Sequence, residues 1–204
     1  MARHKSQKTL KLLFLWLMSK SYNVLVDKLP DYITLYGEKY PVFTSFKNWI
    51  KISILAETKG LSDCGAVAEM LKLCYRKKLP PNIGSAIMGM LAFLNGDTEF
   101  LVSPKGQTKR LYSFSQDSDA IYSSFYAKYR IDLAKSNMHW YKFCALFSGL
   151  ADENPFATLV KIRTTDETEF KNAKSRRKVM ELKAKYGLNS NVEINVAENI
   201  SSLF

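Results

Sequence analysis

A chain of 204 residues, 47% hydrophobic and 13% aromatic, can bury a substantial single core, and this composition excludes an intrinsically disordered protein. Its 30 Lys+Arg against 19 Asp+Glu leave a net charge of +11, which suits an acidic partner but specifies neither fold nor site. The three cysteines lack metal-ligand spacing, and Cys64 and Cys74 fall about 15 Å apart along one predicted helix, so reduced, buried thiols of a cytosolic protein are expected.

The opening "MARHKSQKTLKLLFLWLM" imitates a signal peptide: Arg3, Lys5, Lys8 and Lys11 precede an apolar run from Leu12 to Met18. That run is too short to cross a bilayer, and no small-x-small cleavage site follows. Residues 1–21 are therefore read as a basic and apolar N-terminal extension that is not cleaved. The alternative is a start at Met18, which would lower the net charge from +11 to +7.

Residues 22–187 read as one mainly α, compact multi-helix domain with a small N-terminal β-hairpin. "YITLYGEKYPVF" (Tyr32–Phe43) supplies the hairpin, with Gly37-Glu38 as a type II′ turn and Pro41 marking an edge strand. Thr44 is placed as the cap of a helix carrying Phe46, Trp49, Ile50 and Ile54. Ser62 is placed as the cap of a second, with Ala66, Val67, Met70, Leu71 and Cys74 on one face and Arg76, Lys77 and Lys78 in its last turn. Pro80-Pro81 breaks the chain, and Asn82 caps a third helix with Ile83, Ala86, Ile87, Met90, Leu91 and Leu94, stopped by Gly96. Residues 97–113 read as a loop holding the cations Lys105, Lys109 and Arg110.

Ser115 starts the next helix, where Asp117 and Asp119 suit the helix dipole and Ile121, Tyr122, Phe125 and Tyr129 form the apolar stripe. After a turn around Ile131-Asp132-Leu133, Ser136 caps a helix bearing His139, Trp140, Phe143, Cys144, Phe147 and Leu150. Asn154-Pro155 opens a short helix with Phe156, Leu159, Val160 and Ile162. Thr165 is placed as the cap of a last helix, acidic early and basic later, which reaches Gly187 with core positions Phe170, Ala173, Met180 and Tyr186. Residues 188–204 read as a flexible tail.

Catalytic signatures are missing from this sequence: it has no G-x-x-x-x-G-K-[ST], G-x-G-x-x-G after a strand, H-E-x-x-H or G-x-S-x-G. His139, flanked by Met138 and Trp140, reads as a hydrogen-bonded packing residue, and no cofactor, metal or catalytic residue is assigned. Arg176, Arg177 and Lys178 form a candidate basic contact surface for phosphates, but the aromatics that would stack on bases lie in another segment, so nucleic acid is not the expected partner.

From Tyr22 to Asp166 the order of features resembles the bacteriophage family called gene product fifteen, tail-region proteins of long-tailed phages and prophages of Gram-positive bacteria. The resemblance is carried by the "YP" hairpin, an aromatic helix with Trp49, "SFSQDSDAIYSSFYAKYRIDL" (Ser113–Leu133), "HWYKFCALFSGL" (His139–Leu150) and Ile162-Arg163. Tyr141 stands where the family commonly has a second tryptophan, and the first 17 residues have no counterpart. The resemblance implies a non-enzymatic tail assembly chaperone in the host cytoplasm. Its partners would be the tape measure protein, other tail proteins and further copies of itself, with no membrane. Asp119, Tyr122, Phe125, Asp132, His139, Trp140 and Phe143 match the signature and are read, with Trp49, as fold-defining. The alternatives are a basic nucleic-acid-binding phage protein and a component retained in the finished tail.

Overall fold

The hairpin owes its geometry to two adjacent residues with left-handed backbone. In the computed structural model, which describes residues 22–96, 110–151 and 153–188, β1 (Tyr32–Leu35) pairs antiparallel with β2 (Glu38–Pro41), with Leu35 opposite Glu38. The loop is thus Tyr36-Gly37 rather than Gly37-Glu38, and φ of 51° and 82° makes it a type I′ turn, not the type II′ turn read from the sequence. Gly37 adopts this backbone freely, whereas at Tyr36 the left-handed region costs roughly 1–2 kcal/mol.

Seven α-helices follow among the described residues: α1 (Phe46–Lys59), α2 (Cys64–Cys74), α3 (Ile83–Leu94), α4 (Ser118–Tyr129), α5 (Trp140–Ser148), α6 (Pro155–Thr164) and α7 (Ala173–Tyr186). The protein is mainly α with an N-terminal hairpin, as its periodicity predicts. α1 packs on α2 and α5, β1 lies on α3, and α4, α6 and α7 stack in series. At Gly89 of α3 an added Cβ would come within 2.9 Å of Ile33 and 3.0 Å of the Tyr75 hydroxyl, so glycine lets the hairpin approach closely.

Several helix starts differ from the sequence reading, those of α1 and α5 because tertiary contacts claim the backbone first. Thr44 does not cap α1: its carbonyl accepts the Trp140 N–H at 2.7 Å, and Ser45 becomes the N-cap within an antiparallel bridge to His139. The Phe46 N–H returns to the Met138 carbonyl at 3.0 Å, so α1 and α5 leave from one stitched point. Asp63, not Ser62, caps α2, and Arg76, Lys77 and Lys78 lie beyond its end because Tyr75 turns extended to pair with Val42. Gly96 follows the Asn95 C-cap of α3 and sits against the Tyr141 ring, 2.7 Å from where a Cβ would be. His139 caps α5 in place of Ser136. The Asn82 and Asn154 caps are as read, each accepting the backbone N–H three residues on.

The last predicted helix is two elements. Asp166 caps a short 3-10 turn (Glu167–Glu169), and Asn172 then caps α7. Of its expected core positions, Phe170 and Tyr186 are half-buried, whereas Ala173 and Met180 face solvent. The proposed loop 97–113 also ends differently: Tyr112 and Ser113 are buried. Lys105, Lys109, the 1–21 extension and the 189–204 part of the tail lie outside the described residues.

The core is a continuous aromatic array. Phe143 stacks on Phe46 (4.9 Å between centroids), Phe125 (5.2 Å), Trp140 (5.6 Å) and Phe147 (5.6 Å), and is fully buried. Trp49 continues the array by stacking on Phe93 (4.6 Å) and Trp140 (6.3 Å), and Tyr141 carries it from Phe93 to Tyr22. Both indole N–H groups are satisfied, Trp49 by the Phe43 carbonyl at 2.7 Å and Trp140 by the Leu94 carbonyl at 3.0 Å. Each of Phe143→Ala and Trp140→Ala is expected to cost about 3–5 kcal/mol in urea unfolding, because each leaves a cavity among rigid rings.

Candidate functional site

Asp117 of the "SFSQDSD" motif and Arg163 of the "IR" motif meet in the interior. Arg163 forms a bidentate pair with Asp117, at 2.6 and 2.7 Å, and their side chains are only 7% and 2% exposed. Arg163 also donates to the carbonyls of Leu111 (3.1 Å) and Tyr186 (2.8 Å), so one guanidinium ties α6 to the start of α4 and the end of α7. Asp117 accepts the Ser113 N–H at 3.0 Å as well. Beside it Glu57 of α1 accepts the Ser113 hydroxyl (2.6 Å) and the Phe114 N–H (3.3 Å), with Arg110 at 3.7 Å. Asp117 is more than a helix-dipole residue: it makes no side-chain cap and serves the buried pair. A usable signal was present, because Phe156, Val160 and Arg163 stand at i, i+4 and i+7, which puts the arginine on the buried stripe.

His139 joins two chain segments. Its Nδ1 accepts the Tyr141 N–H at 3.1 Å, which leaves the proton on Nε2 to donate to the Pro30 carbonyl at 3.0 Å. Burial lowers its pKa and the nearby Lys142 adds to this, while the Pro30 bond and Asp31 oppose it.

The other signature residues divide between interior and surface. Trp49, Phe125, Trp140 and Phe143 come together in the aromatic array. Tyr122 and Asp132 meet at the surface instead, hydroxyl to carboxylate at 3.2 Å, and Tyr122 is 40% exposed. Asp132 also accepts the N–H groups of Ala134 and Lys135. Burial works to raise its pKa, but these bonds and Lys135 hold it below the usual carboxylate value. Asp119 is exposed in the first turn of α4, away from the core. Arg176, Arg177 and Lys178 are exposed on α7, yet consecutive helix positions are about 100° apart, so the three fan out rather than share a face. Arg177 pairs with Glu181 at 3.2 Å, and Lys183 pairs with Glu167. Cys74 and Cys144 are buried, whereas Cys64 is exposed. Burial pushes the Cys74 thiol far up, so it stays protonated.

Among the described residues no group of three or more His, Cys, Asp or Glu could hold a metal ion, and no helix is long and apolar enough to cross a membrane. Fold and motif geometry thus define a mainly helical module in which Trp49, Phe125, Trp140 and Phe143 build an aromatic array and Asp117 and Arg163 a buried ion pair. The family model described as Bacteriophage Gp15 protein matches residues 25–188, and the chain belongs to that family of phage proteins. No curated protein and no solved structure matches the chain.

Arg163→Ala strands a buried carboxylate and is expected to cost about 3–5 kcal/mol, with Asp117→Leu/Arg163→Leu recovering a large part, both read by urea unfolding. For His139 the folded pKa lies below the unfolded value, so the folded state binds fewer protons and stability falls with acidification from about pH 6.5 downward. His139→Asn, whose Oδ1 can take over the capping role of Nδ1, should flatten this part of a Tm-against-pH profile.

Proposed function

We propose that this protein is a non-enzymatic tail assembly chaperone that binds the phage tape measure protein in the host cytoplasm. It would self-associate along that extended partner and meet other tail proteins during morphogenesis. Membership of the phage family over residues 25–188 carries this reading. It is supported by how the motif residues are used, since Asp117, Arg163, Trp49, Phe125, Trp140 and Phe143 serve packing and orientation. A chaperone of an apolar helical partner needs a rigid module with exposed apolar contacts, and Tyr36, Leu79, Ile83, Tyr122, Tyr126 and Met180 supply such contacts. Weak contacts repeated along a long partner give avidity without any single strong site.

A second reading, a nucleic-acid-binding phage protein, is favoured by α7 alone, which has no buried residue and exposes Lys174, Arg176, Arg177, Lys178 and Lys185. Affinity for duplex DNA that falls steeply with salt, and weakens in an Arg176→Glu/Arg177→Glu/Lys178→Glu variant, would favour it. The tail-assembly reading predicts copurification with the tape measure protein and loss of tails when the gene is deleted. Normal tails without the gene would overturn it, and presence of the protein in purified particles would make it a retained tail component.

A further inference from the structure

One surface strip gathers exposed apolar side chains that the core does not use. The connection from α2 to α3 runs antiparallel to β2: the Arg76 N–H donates to the Pro41 carbonyl (2.9 Å), Lys78 faces Glu38 at 3.8 Å, and the Ser85 hydroxyl meets the Tyr36 hydroxyl at 2.9 Å. Along this course Phe43, Leu79 and Ile83 are 39%, 47% and 65% exposed. Tyr36 at the tip is 86% exposed. Lys39, Arg76, Lys77 and Lys78 flank this stretch alongside Glu38; Arg76 reaches over the Phe43 ring and Lys39 over the Tyr32 ring. The Lys78–Glu38 pair is loose and solvent-exposed, so it yields readily to a better acid.

Tyr36 is also the wrong residue for its backbone. A type I′ turn favours asparagine at its first central position, and a bulky aromatic with φ of 51° is disfavoured there. The backbone therefore disfavours this side chain, and its hydroxyl contact with Ser85 still leaves the ring exposed for binding.

We propose that the Tyr36–Leu79–Ile83 strip docks an apolar, acid-flanked segment of the tape measure partner, with Tyr36 as the anchor and the four cations meeting the acidic flanks. This rests on the tail-assembly reading and names its contact surface. Aromatic anchors in apolar patches with a charged rim are the usual high-energy element of such contacts.

The test is capture of the untagged full chain by the histidine-tagged tape measure protein of the same phage, after co-expression, alongside the Tm of each variant. Tyr36→Asn should keep or raise Tm yet lower capture about tenfold or more, and Ile83→Asp should lower it similarly. Lys77→Glu/Lys78→Glu should weaken capture and reduce its salt dependence, while Leu25→Asn, at an exposed apolar position outside the strip, should leave it within about twofold. If Tyr36 merely pins the hairpin to α3, Tyr36→Asn lowers Tm and leaves capture intact, and the proposal falls. Full capture by every strip variant overturns the proposal but leaves the tail-assembly reading standing. No capture by the wild-type chain removes both. If Tyr36→Asn captures normally but loses self-association or duplex DNA binding, the strip belongs to a second copy or to nucleic acid instead, and the proposal is likewise overturned.

Discussion

The antiparallel bridge between Ser45 and His139 sets the architecture. Because the backbone of residues 44–46 exchanges hydrogen bonds with that of 138–140, α1 and α5 start side by side. Phe46 and Trp49 in the first turn of one helix are thereby delivered to Trp140 and Phe143 in the first turn of the other. Ring quadrupoles favour offset stacks at such separations, so geometry and burial reinforce one another. The indole N–H groups of Trp49 and Trp140 then bond to carbonyls at the hairpin exit and the end of α3. A non-directional apolar core thus acquires direction from two ring donors.

The C-terminal half is held differently. α6 buries Phe156 and α7 buries nothing, so their placement depends on the Arg163 fork, on the bond from Gln116 to the Gly187 carbonyl, and on the Lys183–Glu167 pair. A buried ion pair repays much of its attraction as lost hydration, so its main effect is orientation rather than net stability. Arg163 suits that role because its donors reach three chain segments from a single planar group.

These two devices account for the dense aromatic and charged motifs of this phage-family chain. Asp117, Trp140, Phe143 and Arg163 are spent on building one rigid shape. At the surface, by contrast, the hairpin tip and the α2–α3 connection expose apolar groups among cations. His139 lies between interior and surface, capping α5 while holding the segment at Pro30 in place.

Periodicity and local chemistry determined the helices from Phe46 to Thr164, the hairpin, the Asn82 and Asn154 caps and the apolar stripes carrying Trp49, Phe125, Trp140 and Phe143. These are short-range properties, set by side-chain spacing and by groups three residues apart. Only the tertiary structure decided the partners of polar groups that could be satisfied in more than one way. Thr44 looks like a cap, yet a distant N–H takes its carbonyl and Ser45 becomes the N-cap of α1. Asp117 looked like a dipole residue until Arg163, 46 positions away, was placed against it. Tyr36 looked like part of a strand until pairing put the turn on it, because register depends on both strands and on the helix beneath them. Long-range pairing leaves almost no mark on local sequence, and for that reason the interior lock and the exposed strip emerged only in three dimensions.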